Sequence, residues 1–139
     1  MEYLILRHKE KEERTKLFSL IGEYFASASI RREFGRPMSS DDTYTWIIAL
    51  YGNSVAAFAA LRVARNGNAE LCHAYTFPVY RCQGINRKLS EMRLELAHEL
   101  GAKAIYTTID PDRLTKYPGF VPHRRKGRWL SIEKRIVCE

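Results

Sequence analysis

The segment from Ala69 to Ile109 constrains the fold more than any other, because a strand, a turn, a helix and a second strand follow one another there without a break. Ala69–Phe77 reads as a strand bounded by the Asn66-Gly67-Asn68 turn and by Pro78. After Pro78 the period changes: Ile85, Leu89, Met92, Leu96 and Leu100 recur every three or four residues, while Arg87, Lys88, Glu91, Arg93, Glu95 and Glu99 take the other faces. That is an amphipathic helix, and Gly101 stands where its C-terminal cap belongs. Lys103–Ile109, rich in Ile, Tyr and Thr, is the next strand. A strand–helix–strand unit calls for parallel pairing through a right-handed crossover. Part of the sheet must therefore be parallel.

The preceding stretch predicts the opposite arrangement. Tyr44–Tyr51 and Ser54–Arg65 are joined by Gly52-Asn53, a connection short enough for a tight hairpin, and the 66–68 turn leads straight into Ala69. Three antiparallel strands result. Tyr3–Arg7 is a further short strand, and Leu17, Phe18, Ile21, Tyr24 and Phe25 predict one helix over about 9–28. The polar stretch 30–42, with Gly35 and Pro37, reads as a loop with room for a short helix. Asp112–Tyr117 predicts a short helix, and Phe120–Arg125 with Arg128–Arg135 a last hairpin around Lys126-Gly127. The fold class is α/β: a mixed sheet, an antiparallel meander and then a central parallel pair, with flanking helices.

A chain of 139 residues with no repeat or linker forms one domain over 1–139, able to bury about two-thirds of its unfolded surface. No apolar run approaches the ~20 residues needed to cross a bilayer, and MEYLILRHKEKEER has no secretory core, so the cytoplasm is the expected location and no membrane partner is expected. Cys72, Cys82 and Cys138 lack metal-ligand spacing, and His8, His73, His98 and His123 are scattered, so free thiols and no metal are expected. The net charge of +7 is concentrated between Arg113 and Arg135, where eight Lys or Arg face Glu133 alone. Such a balance favours acidic partners, phosphate-rich cofactors among them.

The chemistry lies in the turn between the strand and the helix. Arg81-x-x-Gly84-x-Asn86 opens the helix, so several backbone N–H groups point outward at the positive end of its dipole, a ready site for linked phosphates. Gly84 lets a ligand approach the backbone, and Arg81 adds charge at the mouth. This pattern resembles the coenzyme A pyrophosphate loop of the GCN5-related N-acetyltransferase (GNAT) family, whose order of elements and Gly-Phe pair (here Gly119-Phe120) also match over about 1–136. The family usually has Gly or Ala where Asn86 stands. Asn tolerates unusual backbone angles and starts helices readily, so the loop is expected to survive.

The resemblance implies an acetyl-CoA or other acyl-CoA thioester as cofactor, held by Thr76, Phe77, Arg81, Cys82, Gln83, Gly84, Ile85 and Asn86, and an N-acyltransferase reaction on an amine. It also implies an oxyanion donor on the backbone around Tyr75–Phe77, beside a bulge. The amine must lose a proton. Glu70, eleven residues before Arg81, occupies the place where relatives carry a glutamate base. His73 is a second candidate, placed by strand alternation on the face opposite Glu70 and equally readable as a packed core residue. The usual acid is a tyrosine four residues before the Gly-Phe pair. Thr115 stands there, and the nearest phenol is Tyr117. Cys82 is poorly placed for an acyl relay, and Trp46 and Trp129 read as packing residues.

The acceptor is not written in the sequence. Arg31, Arg32, Arg36, Arg124, Arg125 and Arg128 make its surroundings basic, which would attract an acidic small molecule, a nucleobase or an aminoacyl-tRNA and repel a polyamine. A homodimer is compatible with this reading. The alternative reading, suggested by Asn86 and Thr115, is a degenerate GNAT scaffold serving as a nucleic-acid-binding or regulatory module.

Overall fold

The computed structural model describes residues 1–136, so Cys138 lies outside the described residues. Seven strands form one sheet in the order β1-β2-β3-β4-β5-β7-β6. They are β1 (Glu2–Arg7), β2 (Tyr44–Tyr51), β3 (Ser54–Val63), β4 (Ala69–Thr76), β5 (Ala104–Ile109), β6 (Val121–Lys126) and β7 (Trp129–Arg135). All neighbours are antiparallel except β4 and β5. The antiparallel meander and the parallel pair thus both form as the turns and the crossover require. No helix among the described residues is long and apolar enough to cross a membrane.

The single long helix expected near the N-terminus divides. Helix α1 (Lys11–Ile21) ends at Gly22, and Gly22–Ala26 tightens into a 3₁₀ segment. The tighter pitch swings Tyr24 onto Phe58, their ring centroids 6.0 Å apart, and Phe25 onto Trp46 at 5.7 Å. Such aromatic contacts contribute roughly 0.5–1.5 kcal/mol each beyond the burial itself, enough to outweigh continued helix. Ser27 then caps a new helix, α2 (Ala28–Phe34), its Oγ accepting from the Ile30 amide. Gly35, at φ +73, ends it, and an added Cβ there would meet the Trp129 ring at 3.2 Å, so the last hairpin packs against the end of α2.

Helix α3 (Ile85–Glu99) covers the other face, burying Ile85, Leu89, Arg93 and Ala97 at strict four-residue spacing. This corrects the sequence reading, which put Arg93 among the outward residues and Leu100 in the core; Leu100 is exposed. The core has three adjoining parts: Leu17, Ile21, Trp46 and Phe58 under α1 and α2, and two clusters under α3, around Leu89 and around Leu61, Leu71 and Ile132. The segment expected to be a short helix after β5 is a 3₁₀ turn, Pro111–Lys116, whose Asp110 side chain accepts from the Asp112 amide.

Candidate active site

Strand β4 carries an irregularity that shapes everything near it. Phe58 pairs with Tyr75 and Ala60 with Cys72, so His73 and Ala74 together oppose Ala59 alone. This is a β-bulge, and His73 sits in it at φ +52, a backbone region that few residues other than Gly enter, His, Asn and Asp more readily than most. The bulge turns the His73 ring onto the α1–α2 face, stacked on Trp46 (7° between planes, centroids 5.8 Å apart) and Tyr44. Simple alternation placed His73 opposite Glu70; the extra residue resets the alternation, and both face the same side. Its Nε2 accepts from the Ser39 amide at 3.4 Å, and burial pushes its pKa down to about 4. His73 is a neutral core residue. Burial also raises the Cys72 thiol to about 12, which leaves it inert.

Under the bulge lies Arg93. Its Nη1 donates to the carbonyls of Ala60 (3.2 Å) and Cys72 (3.5 Å), and Nη2 meets Ser90 Oγ at 3.4 Å, while Nε has no partner. The guanidinium is fully enclosed with no carboxylate beside it. Burial lowers its pKa, yet an arginine stays charged. Leaving two buried carbonyls unpaired would cost about 1–3 kcal/mol each, so the arginine acts as the plug that lets the ladder open at this point.

The parallel pair is short. β4 and β5 align only over Ala69–Leu71, where Thr107 Oγ1 donates to the Leu71 carbonyl at 3.1 Å; beyond it β4 runs on without β5 beside it. The Phe77 amide donates to Ala56 on β3, so by strand alternation the polar groups of Thr76 face the open side. The Thr76 carbonyl accepts from Arg81 Nε at 2.8 Å. Arg81 also lies 5.5 Å from the Tyr75 ring centre and 3.3 Å from Glu33 on α2, a strap across the mouth of the gap. The sequence placed Arg81 at a phosphate; in this structure it reaches back toward the strand.

The loop itself has two residues in left-handed conformation, Cys82 (φ +64) and Gly84 (φ +78), which curls successive amides toward one side. The N–H groups of Cys82, Gln83, Gly84, Ile85, Asn86 and Arg87 take no acceptor from the described chain; the first helical bond runs from Lys88 to the Gly84 carbonyl. Nothing lies within 4 Å of a Cβ built on Gly84, so the concave side is clear. Ile85 is buried and anchors the loop to the core, while Cys82, Gln83 and Asn86 are exposed. Asn86 sits within the first turn of α3 and needs no unusual angle; the unusual angle belongs to Cys82, two places before Gly84. These features fit a pyrophosphate group.

Glu70 projects on the α1–α2 face, its Oε1 3.2 Å from Arg36 and its Oε2 3.8 Å from Arg62. Tyr117 packs on the opposite side, half-buried in the cluster with Ala97, Ile109 and Leu114 and edge-on to Phe120. The structure therefore does not bring Glu70 and Tyr117 together on one face; they flank the β4–β5 gap from either side of the sheet. Arg62, Tyr106 and Arg93 are site residues that sequence reasoning missed. The four-residue step from Leu89 to Arg93 to Ala97 was the one signal for Arg93.

The sequence matches the family described as acetyltransferase (GNAT) family over residues 7–116. No curated protein matches the chain. Among solved structures, an acyl-CoA N-acyltransferase from Pseudomonas aeruginosa superposes with a TM-score of 0.71 at 18% identity, covering 96% of this chain and 98% of its own. The ribosomal-protein-S18-alanine N-acetyltransferase of Escherichia coli gives 0.67 at 17%, covering 99% and 96%. The PaiA N-acetyltransferase of Thermoplasma acidophilum, solved with coenzyme A, gives 0.63 at 15%, covering 98% and 100%. At these identities the likeness is one of fold.

Proposed function

The chain belongs to the GNAT acetyltransferase family, and from that premise we propose that it transfers an acyl group, acetyl foremost, from a coenzyme A thioester to an amine. The observation that carries this reading is the run of six unbonded amides from Cys82 to Arg87, curled at the N-terminus of α3 over clear space. Preformed donors of this kind, at the positive end of a 15-residue helix, suit a pyrophosphate.

Coenzyme A supplies the acyl group as an activated thioester; the chain supplies everything else. Amides 82–87 and Gly84 bind the phosphates, and Arg81 exchanges the Thr76 carbonyl for phosphate oxygens. The freed polar groups of Thr76 then offer an extended arm a strand edge to pair with. Phe77 contributes its ring, 5.0 Å from those of Tyr24 and Tyr75, because its amide is already bonded to Ala56. Glu70, held by Arg36 and Arg62, takes the amine's proton, directly or through water. The Tyr117 phenol, on the other side of the sheet, is the candidate to protonate the departing sulfur. The acceptor belongs to an acidic or nucleic-acid-linked class, because the surroundings of Glu70 are rich in arginine.

Calorimetric titration with acetyl-CoA tests the cofactor assignment. Gly84→Val sets a branched side chain in the phosphate cradle at φ +78, so affinity should fall at least about tenfold while the variant still melts cooperatively. Unchanged affinity in a folded variant would sink the assignment.

A second reading has its own support. All six residues of β6 are exposed, and Arg124, Arg125 and Lys126 lie on it with Arg128 at the turn. A scaffold that only binds nucleic acid would need such a surface and would release no thiol from acetyl-CoA.

A further inference from the structure

Helix α3 covers one face of β5 and β7 through Ile105, Ile109 and Ile132. The side chains of the other face, Tyr106, Thr108 and Ser131, together with Arg124 of the adjoining β6, are exposed or half-buried. Where this face meets the start of β4 there is an open cleft of about 330 Å³, lined chiefly by Arg62, Glu70, Tyr106, His123, Arg124 and Ser131, with the Asn66–Asn68 turn at one end. It adjoins the gap between β4 and β5 on the side that Glu70 occupies. The volume is at the small end of the range for small-molecule sites, too little for a polymer segment and enough for a compact molecule.

The charges in the cleft select further. Arg62 and Arg124 contribute two positive charges and Glu70 one negative, Arg36 adds a third positive charge from the side, and Glu133 behind His123 is matched by Arg135. Arg124 makes no ion pair among the described residues, whereas both Glu70 oxygens have guanidinium partners. A plain ammonium entering here adds positive charge to a positive site and must strip Glu70 from an arginine that then has nothing to bind. An amine that carries its own anion exchanges partners instead: its ammonium goes to Glu70, and its anion takes the guanidinium groups of Arg62 and Arg124. Arginine forks suit carboxylate and phosphate alike, and each such bond is roughly twice as strong as a neutral one. Tyr106 and Ser131 complete a polar lining.

We propose that this cleft is the acceptor site and that its substrate is a compact amine bearing a carboxylate or phosphate group, with Arg124 as the residue that selects for the anion. The proposal deepens the N-acyltransferase reading and rests on it for the acyl transfer. The cleft's choice of ligand can be tested apart from that reaction.

Matched pairs decide it: β-alanine against β-alaninamide, and phosphoethanolamine against ethanolamine, with spermidine and aminoacyl-tRNA as further arms. Binding of each to the CoA-saturated protein and to the free protein is followed by calorimetry, and thiol release from acetyl-CoA is measured in parallel. Within at least one pair the anionic member should bind, and turn over, at least about tenfold better, which corresponds to ~1.4 kcal/mol. Whichever pair shows the preference identifies the anion. Arg124→Ser should raise KM for the anionic member at least about tenfold, while KM for its anion-free counterpart stays the same or falls and acetyl-CoA still binds. Equal or better use of the neutral amines or spermidine, use of aminoacyl-tRNA alone, or a preference that survives Arg124→Ser would overturn the proposal. Selective binding of the anionic amines without thiol release would uphold the ligand class and count against the acyltransferase reading; thiol release without selectivity would do the reverse.

Discussion

Strands β3 and β6 belong to the same sheet, four places apart, yet Ala56–Leu61 of β3 are all buried while all six residues of β6 are exposed. On one wing, α1 and α2 close one face and α3 the other, and Trp46 and Phe58 have no exposed surface. On the other wing only the α3 face is covered, and the outermost strand, Val-Pro-His-Arg-Arg-Lys, carries a proline and a run of charge. Those are the devices that keep an edge strand from pairing with foreign chains. The matched family segment ends at residue 116, just before this outer hairpin begins. The closed wing holds Trp46 and Phe58 between covered faces; the open wing presents an exposed, basic surface.

The largest effect expected is at the boundary of the two wings. Glu70→Gln preserves shape and removes the proposed base, so turnover should fall about 10²–10⁴-fold, with acetyl-CoA affinity and melting temperature unchanged. A pH–rate profile identical to wild type would mean that the boundary carries no proton transfer, and the contrast between wings would be structural only.

The closed wing should announce itself through pH. His73 is neutral in the fold, at about 4 instead of 6.5, so between those values the unfolded chain binds more protons than the native one. Stability contributed by the neutral ring is therefore full above about pH 6.5 and is lost as pH falls toward and below 4, by about 3 kcal/mol in all. Urea titrations at pH 7 and pH 4.5, compared between wild type and His73→Phe, measure it; an equal acid loss in the variant would assign the effect to other groups.

The smallest effect on stability should come from the open wing. Changing Arg124, Arg125, Lys126 and Arg128 to Ser should move the unfolding free energy by no more than about 0.5 kcal/mol. Binding to tRNA or duplex DNA, followed from low to physiological salt, separates the functional readings: a nucleic-acid ligand predicts binding that persists and a markedly shallower salt slope in the variant. Binding that vanishes well below physiological salt would leave this charge to small acidic acceptors and to solubility.

Element order was legible because apolar period switches cleanly between two and about 3.6 residues, and the parallel pair followed from chain connectivity alone. The turn that opens α3 was legible because its glycine and the helix after it are local. The position of the bulge was not: the resemblance implied one beside Tyr75–Phe77, whereas it falls at His73-Ala74, where the stack on Trp46 and Tyr44 and the Arg93 plug are contacts between distant parts of the chain. Arg93 shows the limit well. A charged residue at a core-facing helical position reads as polar surface until the two carbonyls that need it are known. The 3₁₀ break at Gly22 was hidden for the same reason, because its aromatic partners Trp46 and Phe58 lie on two distant strands, β2 and β3.

The contact between Gly35 and Trp129 has a mechanical meaning. The outer hairpin is tied to the sheet by the β5–β7 ladder and, at its tip, to the end of α2. One residue beyond that tie is Arg36, whose guanidinium lies 3.2 Å from Glu70. The residue that meets Trp129 and the residue that grips Glu70 are thus neighbours in the chain at the end of α2, so the outer hairpin and the carboxylate's surroundings share one short piece of backbone.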